Sequence, residues 1–243
     1  KTAGYDREVV VLLILRNISF EHDLPIVDDH AASMQIASPH LYARVVQSFL
    51  ALEAGEESLE PFLFLQDDDL LDAAKLLYVV TDPFHIDFAN KKIMTALYGE
   101  INQLIRKNPL RQVRWEKQMV ELSDFIQDVT REIPLEIIAP DEMTVQDVCK
   151  AFGVQLDCPL NTSPLVRICK LLDILAEWMP KKLLILCNLD NYFSDADWQE
   201  VIKYAAYTKV KTLLIFQNQA IPMHEQEIRW QIDQNYDDKI IKL

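Results

Sequence analysis

The stretch "KKLLILCNLDNYFSDADWQE", residues 181–200, decides the architecture. Two lysines lead into an apolar run, Leu183 to Cys187, that reads as a buried strand. Asn188, Leu189 and Asp190 follow, and then Ser194 with Asp197 three residues later. That pair has the spacing of a capping box, so a helix is expected from Ser194 through Tyr207. The next segment, "KTLLIFQN" (211–218), is again strand-like. Upstream, Ser163-Pro164 starts a helix carrying Val166, Ile168, Leu171, Leu172, Ile174 and Leu175, with the proline at its first position. Strands alternating with helices imply a mostly parallel sheet covered on both faces.

The same alternation marks the beginning of the chain. "EVVVLLIL", "MQIAS", "PFLFLQ" and "KLLYVVTD" are strand candidates, and "HLYARVVQSFLAL" has helical spacing. The middle, Phe88 to Phe152, differs. Ile93, Leu97, Ile101, Leu104 and Ile105 share one helical face, and Asn108-Pro109 ends that helix. Trp115, Met119, Leu122, Ile126 and Val129 then recur at steps of four and three, a coiled-coil-like seam that predicts two long antiparallel helices. "TVQDVCKAFG" closes the region as a shorter helix with Gly153 at its end. The expected layout is an α/β head in two parts (1–88 and 153–243) around an inserted α-helical leg (89–152), with "QIDQNYDDKIIKL" completing the head.

Composition limits the function classes. The 243 residues carry 24 lysines and arginines against 38 acids, a net charge of −14, which disfavours nucleic acid as a partner unless the basic residues are gathered locally. They are gathered in "RKNPLRQVRWEK", which holds Arg106, Lys107, Arg111, Arg114 and Lys117. Val9 to Leu15 is too short to cross a bilayer, and no signal peptide is expected. Cys149, Cys158, Cys169 and Cys187 form no C-x-x-C pair and read as reduced thiols of a cytoplasmic protein. The five histidines are scattered without zinc-ligand spacing.

A buried strand ending in an acid, here Asp190, is where nucleoside-triphosphate hydrolases hold magnesium. The other half of such a site is a G-x-x-x-x-G-K-[ST] loop whose backbone amides converge on phosphate. None of the four glycines (Gly4, Gly55, Gly99, Gly153) precedes Lys-Ser or Lys-Thr, and no two have that spacing. The turn in "QIASPHLYARVV" contains no glycine. No bound nucleotide is therefore expected. "DNYFSDADWQE" lacks the sixth-position glycine and final glutamate of a calcium loop, so the capping reading of Ser194 and Asp197 is preferred. A second acidic cluster, Glu132, Glu136, Asp141, Glu142 and Asp147, suits calcium. Thr144 and Asp147 also have capping-box spacing, which explains them without a metal.

"DEMTVQDVCKAFGVQLD" (141–157) and "KKLLILCNLDNYFSDADWQEVIKYAAYTKVKTLLIF" (181–216) resemble the small accessory subunit of type II-A CRISPR adaptation modules, a ring-forming family that binds ends of duplex DNA. "NISFEHDLPI", "LLYVVTD" and "DQNYDDKIIKL" agree in order and spacing, whereas the first sixteen residues do not match. The resemblance implies a head related to P-loop ATPases with a degenerate, non-hydrolysing phosphate loop, a helical leg, and no catalysis. It also implies a homotetrameric ring, supported by calcium, through which linear double-stranded DNA passes, and partners in the CRISPR integrase complex and effector nuclease. A ring that is acidic outside and basic within reconciles the net charge with DNA.

Carried over by position, Asp141, Glu142 and Asp147 match acids of the family's calcium-binding segment. Ile137, Ile138 and Ala139 stand where relatives have further acids, which leaves Glu136 as a substitute or the site incomplete. Lys150, Lys181 and Lys182 fall where relatives also have lysine and are expected to face DNA. Arg106, Lys107, Arg111 and Arg114 lie in the variable leg hairpin and are assigned to DNA with them. The alternative is an interaction scaffold whose P-loop-derived head has lost its substrate and whose helical seam recruits a partner without DNA binding. A working nucleotide hydrolase is the third reading.

Overall fold

Leu183–Cys187 (β7) is buried at every residue, as is Thr212–Phe216 (β8), and the two pair in parallel with Ile185 opposite Leu213. Ala31–Ile36 (β3) is the third fully buried strand and lies parallel to β8, with Met34 opposite Ile215. Unbroken apolar runs take this place because both sheet faces are covered. The computed structural model describes residues 12–138, 143–159, 161–217 and 220–242. The chain divides into two units, Lys1–Ile86 with Pro159–Leu243, and Asp87–Cys158.

In the first unit a six-stranded sheet has the order β10 (Asp238–Lys242), β9 (Glu227–Ile232), β3, β8, β7, β6 (Leu77–Val80). All pairings are parallel except that of β10 with β9. Helices α1 (Pro39–Ala54), α6 (Pro164–Trp178) and α7 (Asp195–Thr208) belong to this unit. Ser38 caps α1 by accepting from the Leu41 amide, and Gly55 ends it at a φ of 78°. The helix start read at Ser163-Pro164 is present, with the Ser163 side chain accepting from Val166 N.

Of the candidate "EVVVLLIL", residues 8–11 lie outside the described residues; its remainder and "PFLFLQ" do not enter the parallel sheet. Leu13–Asn17 (β1) and Phe62–Gln66 (β4) form a separate antiparallel sheet with Leu24–Ile26 (β2) and Asp69–Leu70 (β5), in the order β2-β1-β4-β5. A two-residue turn joins β4 to β5, with Asp67 and Asp68 at φ 51° and 67°. Leu13, Leu15, Leu24, Ile26, Phe62 and Phe64 share one core with Met34, Val45 and Phe49. Apolar runs of this length do not reveal which sheet will accept them. "KLLYVVTD" is also split, because Ala73–Leu76 (α2) is helical up to the start of β6.

Asp238 ties this unit's two chain ends together. Its carboxylate accepts from the Glu21 and His22 amides at 2.9 and 3.1 Å and from the Trp230 indole at 2.8 Å. Burial alone would raise this carboxyl, but the amide, indole and His22 ring contacts outweigh it and hold it below its ordinary 3.8. A depressed carboxyl stabilises the fold above its unfolded pKa and loses that contribution as pH falls through the folded value. Urea midpoints measured between pH 5 and pH 2.5 should therefore fall less steeply for Asp238→Asn than for the natural chain.

The second unit contains α3 (Lys91–Arg106), α4 (Pro109–Arg131) and α5 (Val145–Ala151). The break read at Asn108-Pro109 is present: the Asn108 side chain accepts from the Leu110 and Arg111 amides, and Pro109 starts α4. The small core joins Tyr98, Val145 and Cys149 with Leu97, Ile101, Ile105 and Trp115. At 23 residues α4 is longer than α3 at 16, and it has no buried residue. Of the predicted seam, Trp115 packs on the core, while Leu122, Ile126 and Val129 remain 38%, 42% and 47% exposed.

Candidate functional site

The carboxyl ends of the parallel strands are where ligands bind in open α/β folds. In this protein that rim is tied together by its own side chains. Tyr42, in the first turns of α1, donates its hydroxyl to Asn188 Oδ1 at 2.7 Å and accepts from the Asn188 amide at 3.1 Å. Asn188 sits just past β7 in the left-handed region, at a φ of 62°, and its Nδ2 donates to the Thr81 carbonyl beyond β6. Burial pushes the Tyr42 phenol up, with Cys187 and Asp190 adding to the effect. Asp190 accepts from the Gln217 amide at 3.2 Å, which joins the ends of β7 and β8. The Leu41 amide, in the first turn of α1, donates to Ser38 Oγ at 3.3 Å. Tyr42 and Asn188 are 146 residues apart, and no local sequence signal announces their contact.

Both capping boxes read from the sequence are present. Ser194 and Asp197 exchange hydrogen bonds at the start of α7, with Ser194 Oγ to Asp197 Oδ2 at 2.6 Å. Thr144 and Asp147 do the same at the start of α5, where Asp147 Oδ2 takes the Thr144 hydroxyl at 2.6 Å and its amide at 3.2 Å. The Thr144 hydroxyl, then its amide, with Lys150 adding attraction, lower the Asp147 carboxyl against a small burial effect. Ser194→Ala should cost about 1 kcal/mol of unfolding free energy, read from the urea midpoint, with Ser194→Gly costing less.

Asp147 Oδ1 makes none of these bonds, and Glu136 is exposed. Asp141 and Glu142 lie outside the described residues. Among the described residues no group of three or more His, Cys, Asp or Glu side chains is placed to hold a metal ion. Calcium takes six to eight oxygens, so Glu136 and Asp147 would need the oxygens of Asp141 and Glu142 as well.

The predicted DNA residues fall in two groups. Arg106 ends α3, Lys107 is its C-cap, and Arg111 and Arg114 occupy the first two turns of α4. All four are exposed, and among the described residues no carboxylate pairs with any of them. The first turn of α4 contains no acid, so Arg111 stands against the positive helix end, whereas Arg106 and Lys107 close α3, where the dipole favours cations. Lys150, also exposed, is in the last turn of α5. In the head, Lys181 is exposed, but Lys182 is half-buried and donates to the Lys75 and Leu77 carbonyls at 2.6 and 3.3 Å. Lys182 thus joins the end of α2 to β6, a role its place in sequence does not disclose.

Residues 55–236 match the sequence profile of the CRISPR-associated protein family Cas_Csn2. The chain belongs to this family. The Csn2 protein of Enterococcus faecalis is 23% identical over 214 residues, which cover 87% of this chain and 92% of that one. The crystal structure of Stu0660 of Streptococcus thermophilus is similar in fold, with a TM-score of 0.62 at 10% identity over 96% of this chain and 76% of that one. Csn2 membership places the chain among CRISPR-associated defence proteins and agrees with the resemblance carried by residues 141–157 and 181–216. No helix among the described residues is long and apolar enough to cross a membrane.

Proposed function

We propose that this chain is a non-catalytic, sequence-independent binder of double-stranded DNA ends that assists spacer acquisition in CRISPR immunity. The observation that carries this reading is the hairpin tip, where Arg106, Lys107, Arg111 and Arg114 are exposed and, among the described residues, meet no carboxylate in a protein of net charge −14. Exposed cations gathered on one turn between two helices can hold phosphates in register without reading bases. Lys150 and Lys181 extend the same chemistry.

The protein acts in the cytoplasm as a homotetrameric ring that takes linear duplex from its ends, with the integrase complex and the effector nuclease as partners. Support for self-association comes from α4, whose apolar residues Leu122, Phe125, Ile126 and Val129 are 38% to 63% exposed. Calcium bound by Glu136, Asp141, Glu142 and Asp147 would stiffen the segment leading into α5. The head is a degenerate P-loop-type domain. The self-capped start of α1 and the Tyr42–Asn188 bonds support a role without nucleotide.

The test is a gel-shift titration of linear duplex against a covalently closed circle, each with calcium and with chelator. Binding of the linear form alone supports entry from DNA ends. Failure of both forms to bind at low salt would favour the second reading, an interaction scaffold in which the exposed seam of α4 recruits a protein. Stabilisation by nucleotide in a melting assay would contradict both.

A further inference from the structure

The chain leaves the first unit after Ile86 and re-enters it at Pro159, so Asp87–Cys158 is an insertion with two crossover points. Both points are held by one side chain. Arg167, in α6, is 4% exposed, and its guanidinium donates from Nη2 to the Ile86 carbonyl at 3.0 Å and from Nη1 to the Pro159 carbonyl at 3.3 Å. All three residues lie in the first unit, although Ile86 is 81 positions from Arg167 in sequence. Neither carbonyl belongs to a strand or an α-helix: Ile86 caps the 3-10 turn Pro83–His85, and Pro159 precedes the Ser163 cap of α6. Arg167 itself is firmly anchored, because Ile168, Leu171, Leu172 and Leu175 of the same helix are fully buried.

We infer that Arg167 is a lock that makes the two crossovers open and close as one. A guanidinium is a planar fork of donors, so a single group sets the direction of two carbonyls at once. Its charge strengthens both bonds. Burial makes them interdependent. If one carbonyl leaves, a buried charge loses a partner, which is costly unless water follows. Water that enters then competes for the other carbonyl as well. Local bonds, such as those from the Thr162 amide to the Pro159 carbonyl at 3.1 Å and from the His85 amide to the Asp82 carbonyl at 3.3 Å, stay within one crossover and cannot couple it to the other. The lock shares no residue with the cations assigned to DNA, so it stands whether or not DNA is the ligand.

The test is amide hydrogen exchange of the full chain, read by mass spectrometry over segments 84–90 and 161–163, with the strands 183–187 and 212–216 as a control. In the natural chain the two crossover segments should share one opening free energy and one urea dependence, both below those of the sheet. In Arg167→Met, which keeps an apolar stem and removes the fork, both segments should exchange about tenfold faster, while the sheet amides keep their rates. The acceleration should be the same for the two segments. Separate opening energies in the natural chain, acceleration of one segment alone, or no acceleration overturns the lock. If Arg167→Met also speeds the sheet, the natural chain decides, because shared opening of its two crossovers supports the lock and separate opening refutes it.

Discussion

Replacing Arg106, Lys107, Arg111 and Arg114 with glutamine is expected to remove about four phosphate contacts per protomer, since each contributes about 0.9 to the slope of log affinity against log salt. The slope should flatten by about 3.6 for each protomer that engages the duplex. Between 50 and 200 mM salt the natural chain should therefore lose roughly a hundredfold more affinity for linear duplex than the variant for each such protomer. The loss should be equal for duplexes of unrelated sequence, because phosphates carry no base identity. Thermal stability should change little, since loss of Arg106 and Lys107 from the C-terminal end of α3, where cations are favoured, is offset in part by loss of Arg111 from the N-terminal end of α4. Lys181→Gln should flatten the slope by about 0.9 for each protomer that engages the duplex. Lys182→Gln should lower stability with little change in slope, because its ammonium is engaged by the Lys75 and Leu77 carbonyls. Slopes measured by fluorescence anisotropy decide the matter; a quadruple variant with the natural slope would place the DNA track elsewhere.

The second large effect concerns stability. Glu227 and Arg229, in β9, are 1% and 4% exposed, and Arg229 Nε donates to Glu227 Oε1 at 2.8 Å. The same carboxylate accepts from the Ser33 hydroxyl at 2.5 Å, and its other oxygen accepts from the His224 amide at 3.1 Å. The Arg229 guanidinium also lies 5.0 Å from the centre of the Phe216 ring. Every polar atom of this pair faces protein, so removing one partner leaves a buried charge. Arg229→Met is expected to cost about 3–5 kcal/mol, read from urea unfolding at one protomer concentration. Glu227→Gln should be similarly damaging, and the double variant should cost clearly less than the sum of the two. A loss under about 1 kcal/mol for Arg229→Met would mean that the pair does not secure the loop from Ile221 to His224.

Local chemistry is what the sequence determined unaided. Apolar runs at Leu183–Cys187 and Thr212–Phe216 meant strands with both faces covered, and they are the buried centre of the sheet. Ser194 with Asp197, Thr144 with Asp147, and Ser163-Pro164 identified three helix starts, because a cap is made within three residues of itself. Family membership was also legible, since order and spacing survive along the chain where no single motif is decisive. Tertiary structure decided what depends on distant partners. β1 and β4 read no differently from sheet-centre strands, yet they pair with each other and with β2 and β5. Ser33 and Glu227, 194 positions apart, and Tyr42 and Asn188, 146 apart, look like ordinary surface residues until the fold buries them together. Asp195 is one helical acid among many until His224, from another part of the chain, is brought within 3.6 Å of it. The pattern of a strand or helix records the face it must bury, but not which remote donor will meet a buried acceptor, and only the packed chain supplies that.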